Sequence, residues 1–285
     1  MENVKTIDDI PFDEGPLNTK IYTVGGWSPA ENWVQIKAAG NKDGEIGVKF
    51  FGPVSMGLAK EIQGTLRPKA LVFNPEDYEN LDFLSVFADC QALSIGMLGE
   101  LKGTLDLGAL PNLSVFSGNI WKNLKNLSRT QLTDCTIGSN KTAKSVEEMG
   151  LPKTLRRLTI ASCTLRTLTG IEHLMDLESL VLINCRGIDS LSLLERLPRL
   201  TDLRLEMMPK IGSGAFPVLP NLQKLHIVNQ KLDSVAFLKN LPNLTDLNLG
   251  LTKVESGDFS EIDLQKKWSY LFFKPKKGKA VHIPV

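Results

Sequence analysis

An α/β solenoid, built of short parallel strands alternating with short helical returns, is the fold class this sequence predicts, and three observations predict it. Apolar residues recur in the frame Leu-x-x-Leu-x-Leu at almost constant spacing. Within each frame the last two alternate with period two, as in a strand with one buried face. Between frames they repeat every third residue, which stacks them on one side of a 3₁₀-like turn or short helix. The composition agrees: 285 residues, 42% hydrophobic and 23% charged, describe a folded globular chain and exclude disorder and collagen-like repeats.

The clearest frames begin at Leu155, Leu177, Leu200, Leu222 and Leu244, spaced by 22 or 23 residues. Each contributes one strand: Leu158 and Ile160, Leu180 and Leu182, Leu203 and Leu205, Leu225 and Ile227, Leu247 and Leu249 point inward. The returns read Leu165, Leu168, Ile171, Leu174 in one unit and Leu232, Val235, Leu238, Leu241 in another. Pro198, Pro220 and Pro242 stop the returns and favour extended chain entering the next strand. Upstream frames are expected near Pro68, Cys90, Leu110 and Leu127. The one at Leu110 can also be aligned three residues later, and Phe116 would be an exposed aromatic anchor in the earlier register. A polar insertion at 138–150 with room for a short helix separates Leu127 from Leu155.

A 22-residue LxxLxLxx(N/C) period in five consecutive registers resembles the leucine-rich repeat family, of the cytoplasmic 22-residue type. The resemblance implies a horseshoe solenoid of about eight or nine units, with one curved parallel sheet, short helical or 3₁₀ convex segments and a cap at each end. The expected organisation is 1–65 as an N-terminal cap, 66–262 as the repeats and 263–285 as a C-terminal cap. The N-terminal cap is expected to hold a hairpin of NWVQIKAAG and EIGVKFF turning at Gly44. In WSYLFFKPKKGKAVHIPV the aromatics Trp268, Tyr270, Phe272 and Phe273 either seal the last unit, with the lysines keeping its edge soluble, or form an aromatic-basic patch for acidic lipid or phosphate. The sealing role is preferred.

Little in the sequence points to catalysis. Four cysteines (Cys90, Cys135, Cys163, Cys185) lack CxxC spacing and neighbouring histidines, so zinc is not expected. Cys135, Cys163 and Cys185 follow a buried apolar residue by three positions, where the family carries Asn or Cys. A structural role is expected for these thiols, with redox sensitivity as the alternative, provided the thiol pKa is depressed. No nucleotide-binding, metalloprotease or nucleophile-elbow motif occurs, and no cofactor is expected. A net charge of +1 gives no field to attract nucleic acid. No apolar run is long enough for a membrane span, and the acidic, Pro-containing first twenty residues do not resemble an export signal. The expected location is the cytoplasm.

In leucine-rich repeats the residues between the inward leucines form the concave face. That register implies a partner-binding set of Arg129, Arg157, Asp202, Arg204, Glu206, Lys224, His226, Asp246 and Asn248, with Val181, Ile183 and Val228 as an apolar centre. The expected function is non-enzymatic protein binding, as an inhibitor or immunity-type protein neutralising a toxin or effector. A regulatory or scaffolding subunit, similar to phosphatase-regulatory repeats, is the alternative. Catalysis around His226 with Asp202 and Asp246 is the third reading.

Overall fold

The computed structural model describes residues 13–14, 20–25, 46–74, 78–96, 103–119, 124–139, 141–188, 190–208, 214, 216–274 and 279–283. The chain divides into two compact bodies, Met1–Asp134 and Cys135–Val285.

In the first body the sheet order is Asp13–Glu14, Lys20–Gly25, Ile46–Phe51, Ala70–Phe73, Ala92–Ile95, Val115–Asn119. All pairs after the first are parallel. Strand Ile46–Phe51 therefore has parallel partners on both sides, Lys20–Gly25 and Ala70–Phe73, and no antiparallel partner across a tight turn. The other arm of the expected hairpin, with Gly44, lies outside the described residues. Parallel neighbours need a crossover, and Met56–Leu66 supplies the one between Ile46–Phe51 and Ala70–Phe73 as a true α-helix. The Ser55 hydroxyl accepts from the Leu58 amide at its start, and Arg67 closes it in the left-handed region at φ 48°. Ala59, Ile62 and Leu66 form its buried stripe. Phe50, Phe73, Phe83, Phe87 and Tyr78 fill the core beside the strands with ring centroids 5.1–6.4 Å apart, mostly edge-on or tilted, the favoured aromatic geometries.

The second body carries strands Arg157–Ala161, Ser179–Ile183, Asp202–Glu206, Lys224–Val228, Asp246–Asn248 and Tyr270–Phe273 in one parallel series. Each frame meets its counterpart in the next unit, so Leu158, Leu180, Leu203, Leu225, Leu247 and Leu271 form one inward row, each at most 1% exposed. The returns are single turns of 3₁₀ helix, such as Ile171–His173, Ser192–Arg196 and Ala236–Asn240. The insertion near 138–150 holds one such turn, Glu147–Met149. Asn221 and Asn243, each following the proline of its return, donate to the Pro198 and Pro220 carbonyls one unit back.

After each strand one residue turns left-handed: Ser162, Asn184, Met207, Asn229 and Leu251, at φ 50–55°. Through Asn229 their amides still donate to the next unit's chain, at 2.8–3.2 Å. The turn then points the following side chain back inward, which buries Cys163, Cys185, Met208 and Gln230. At the last of these positions the Thr252 hydroxyl donates to the Ile227 carbonyl of the preceding unit at 2.8 Å. Thr252 thereby ties its own turn to the backbone of the preceding unit.

Two upstream registers differ from expectation. Cys135 and Ile137 are the inward residues of strand Asp134–Gly138, so that frame begins at Leu132 instead of Leu127. The frame near Leu110 takes the later alignment: Leu113 and Phe116 are buried, and Phe116 is fully enclosed rather than an exposed anchor. In both cases the 3₁₀ turn ahead of the strand takes up the residue at which the earlier register would begin: Leu127 opens one turn and Leu110 caps the other.

Phe116→Ala should therefore destabilise the fold by about 3–5 kcal/mol in chemical denaturation, as for other large core truncations. Leu251 is 84% exposed and gains nothing from burial, so Leu251→Asn should relieve left-handed strain and raise stability by about 0.5–1 kcal/mol in the same assay.

Candidate functional site

The strands of the second body present three rows of side chains on the face opposite the leucines. The first runs Arg157, Ser179, Asp202, Lys224, Asp246, Tyr270 and the second Thr159, Val181, Arg204, His226, Asn248, Phe272. The third is Ala161, Ile183, Glu206, Val228. Eight of the nine expected binding residues fall in these rows. Arg129 does not: it ends the 3₁₀ turn Leu127–Arg129, ahead of the strand. The five-residue register difference at Leu132 is the cause.

Several of these side chains are tied to one another. The Arg204 guanidinium donates to the Glu206 carboxylate at 2.7 Å along one strand. His226 Nε2 lies 2.8 Å from Asp246 Oδ1, diagonally across adjacent strands, with side chains 29% and 16% exposed. Asn248 accepts from the Gly250 amide and so supports the turn beyond its strand. Asp202 and Lys224 sit opposite each other in register.

Three further residues complete the surface. Tyr270 and Phe272 are the outward residues of the last parallel strand, and Val281–Ile283 closes the sheet antiparallel to it, with His282 opposite Phe272. Ring centroids link His226 to Tyr270 (6.4 Å), Tyr270 to His282 (5.6 Å) and Phe272 to His282 (5.7 Å). The signal for Tyr270 and Phe272 is in the sequence: Trp268, Leu271 and Phe273 repeat the leucine frame with aromatics in two places. Parallel pairing thus continues past residue 262. Leu271 and Phe273 seal the core, with Phe259 stacked on Phe273 at 4.9 Å, whereas Tyr270 and Phe272 face outward and stay partly accessible. Lys266 lies 5.3 Å over the Trp268 ring and donates to the Pro242 carbonyl. Lys276 and Lys277 of the basic tail lie outside the described residues.

The corresponding face of the first body is different in kind. Ala70 and Ala92 are fully buried with Val72 and Val115 packed against them, and Ser94 and Ser117 continue the rows.

Cys90 and Asp106 are held by their local structure. Burial pushes the Cys90 thiol up to about 12, and its S–H donates to the Ala92 carbonyl. The Asn126 amide, 2.6 Å away, and then the Gly108 amide hold the Asp106 carboxyl below its usual range. Among the described residues no group of three or more His, Cys, Asp or Glu is placed to hold a metal ion, and no helix is long and apolar enough to cross a membrane.

No protein-family model matches the chain, and no curated protein does. Solved structures do. TLR13, in its complex with ssRNA13, is similar with a TM-score of 0.51 and 18% identity over 75% of this chain and 35% of that one. The chain thus spans about a third of TLR13. An internalin (inlF) from Listeria monocytogenes str. 4b F2365 gives a TM-score of 0.46 and 18% identity over 84% of this chain and 76% of that one. With its parallel strands, 3₁₀ returns and leucine frames, the protein has the leucine-rich repeat solenoid fold.

A double-mutant cycle of His226→Ala and Asp246→Ala, read by denaturation, should give a coupling of about 0.5–1 kcal/mol, as for partly exposed pairs. Each variant should retain the native circular dichroism spectrum, because neither side chain belongs to the inward rows.

Proposed function

We propose that this chain is a non-enzymatic protein-binding module that grips its partner with the concave face of the second body. What supports the reading is one juxtaposition: four successive strands and the closing strand gather Asp202, Arg204, Glu206, Lys224, His226, Asp246, Tyr270, Phe272 and His282 on a single rigid surface. Aromatic and Arg anchors beside mixed charge are what protein interfaces select for. Val181, Ile183 and Val228 give the patch an apolar side. Opposite charges alternate along the first row (Asp202, Lys224, Asp246) and Arg204 is paired with Glu206, which suits a protein surface of mixed charge and disfavours a polyanion such as the RNA in the TLR13 complex. Residues 66–262 form the repeats in this reading, and 1–65 and 263–285 close their ends. The cytoplasmic 22-residue type and a cytoplasmic location go with it.

The particular role we infer is that of an inhibitor or immunity-type protein, which occupies a toxin or effector stoichiometrically. A rigid preformed face loses little conformational freedom on binding, and this favours tight complexes.

The test is affinity capture from a lysate of the source organism. It compares the wild-type chain with the triple variant Arg204→Glu, His226→Ala, Asp246→Lys, with Tyr270→Ala/Phe272→Ala, and with Arg129→Glu. One partner should be retained in stoichiometric amount by wild type and Arg129→Glu. Both patch variants, folded by circular dichroism, should lose it by tenfold or more. Retention by the patch variants, a set of weak partners, or recovery of nucleic acid would refute the proposal, and unaided turnover of a substrate that depends on His226 would refute its non-enzymatic part.

A further inference from the structure

Two of the four thiols sit in contact on neighbouring units. Cys163 and Cys185 hold equivalent places, two residues beyond the paired strand ends Ala161 and Ile183. The residues before them, Ser162 and Asn184, share the same left-handed turn at φ 51° and 52°, and their amides continue the ladder to Ile183 and Glu206. Backbone register is thus maintained to within one residue of both cysteines. Adjacent parallel strands lie about 4.8 Å apart, which falls inside the roughly 4.4–6.8 Å Cα separation that a disulfide requires. The sulfurs are 3.3 Å apart, and the Cys185 thiol also faces the Ile160 and Ile183 carbonyls.

We propose that Cys163 and Cys185 form a reversible redox pair, closed to a disulfide by a hydroperoxide.

The two thiols have different parts. The two sulfurs share a hydrogen bond in which either can donate, and this contact holds the Cys163 thiol below its ordinary range. The same bond, together with burial, keeps Cys185 protonated far above it. Cys163, the less enclosed of the two at 5% exposure against 0%, is the nucleophile. Its thiolate attacks the terminal oxygen of the hydroperoxide and the O–O bond breaks. The sulfur is oxidised to sulfenic acid, and the other oxygen leaves as hydroxide or alkoxide. The Cys185 sulfur then attacks the Cys163 sulfur and the S–O bond breaks. The hydroxyl leaves as water with the proton of Cys185. With hydrogen peroxide, two thiols and one peroxide give one disulfide and two waters. Because the strand spacing already suits a disulfide, the sulfurs can close from 3.3 Å by side-chain rotation, and a dithiol reverses the step by thiol–disulfide exchange.

Peptide mapping of the full-length chain tests this. The reduced protein is treated in native buffer with hydrogen peroxide, its remaining thiols are blocked, and it is digested with trypsin. Cleavage after Arg157, Arg166 and Arg186 puts the two cysteines on separate peptides, Leu158–Arg166 and Thr167–Arg186. The expected product is these two peptides joined, two hydrogens lighter than their sum and separated again by dithiothreitol, with Cys90 still a thiol. In Cys185→Ser, Cys163 should stop at sulfenic acid and be trapped by dimedone. The proposal is overturned if Cys163 and Cys185 stay reduced while Cys90 oxidises, if either passes to sulfinic acid without a joined peptide, or if joining occurs only after denaturation.

Discussion

The inward leucines of one strand can leave water only against the same leucines of the next, and every other feature of the molecule depends on that constraint. A single unit of some 22 residues has no inner face of its own to fold against. Stacking supplies one, and stacking works only if each strand keeps register with its neighbour, because a slip of one residue would turn the whole apolar row to solvent. The pairing of Leu158, Leu180, Leu203, Leu225, Leu247 and Leu271 across six strands is the outcome.

Fixed register has a second effect. It aligns the outward residues as strictly as the inward ones, so that side chains distant in sequence become neighbours at strand spacing. Arg204, His226 and Phe272 come from segments separated by up to 68 residues and stand in one row. The left-handed residue after each strand extends the same logic to the rim. It turns the next side chain inward, which places Thr252 against a carbonyl one unit back and brings two thiols into contact.

Where the leucine frame is strong, the sequence was enough to read strands, faces and eight of the nine expected surface residues. It failed where other apolar residues stand in for leucine. Cys135 as an inward strand residue, and Phe116 with Gly118 in the frame before it, leave two alignments equally apolar, and only packing of the preceding 3₁₀ turn decides between them. Arg129 was misplaced for that reason. Tyr270, Phe272 and His282 were missed as surface residues because a run of aromatics next to lysines reads as an end seal. Leu271 and Phe273 do seal, yet period two sends every other aromatic to the opposite face. His282 needed an antiparallel return that no local pattern marks. The close approach of Cys163 to Cys185 follows from the 22-residue spacing, but their unequal enclosure is visible only in three dimensions.

Hydroxyl-radical footprinting of the chain, free and bound to its captured partner, tests most directly whether the second body's strand face is the binding surface. The account predicts that modification of His226, Tyr270, Phe272 and His282 falls at least several-fold on binding, while exposed Met175 and Leu264, outside these strands, react as before. Protection of Met175 or Leu264 with the four ring residues unchanged would contradict it.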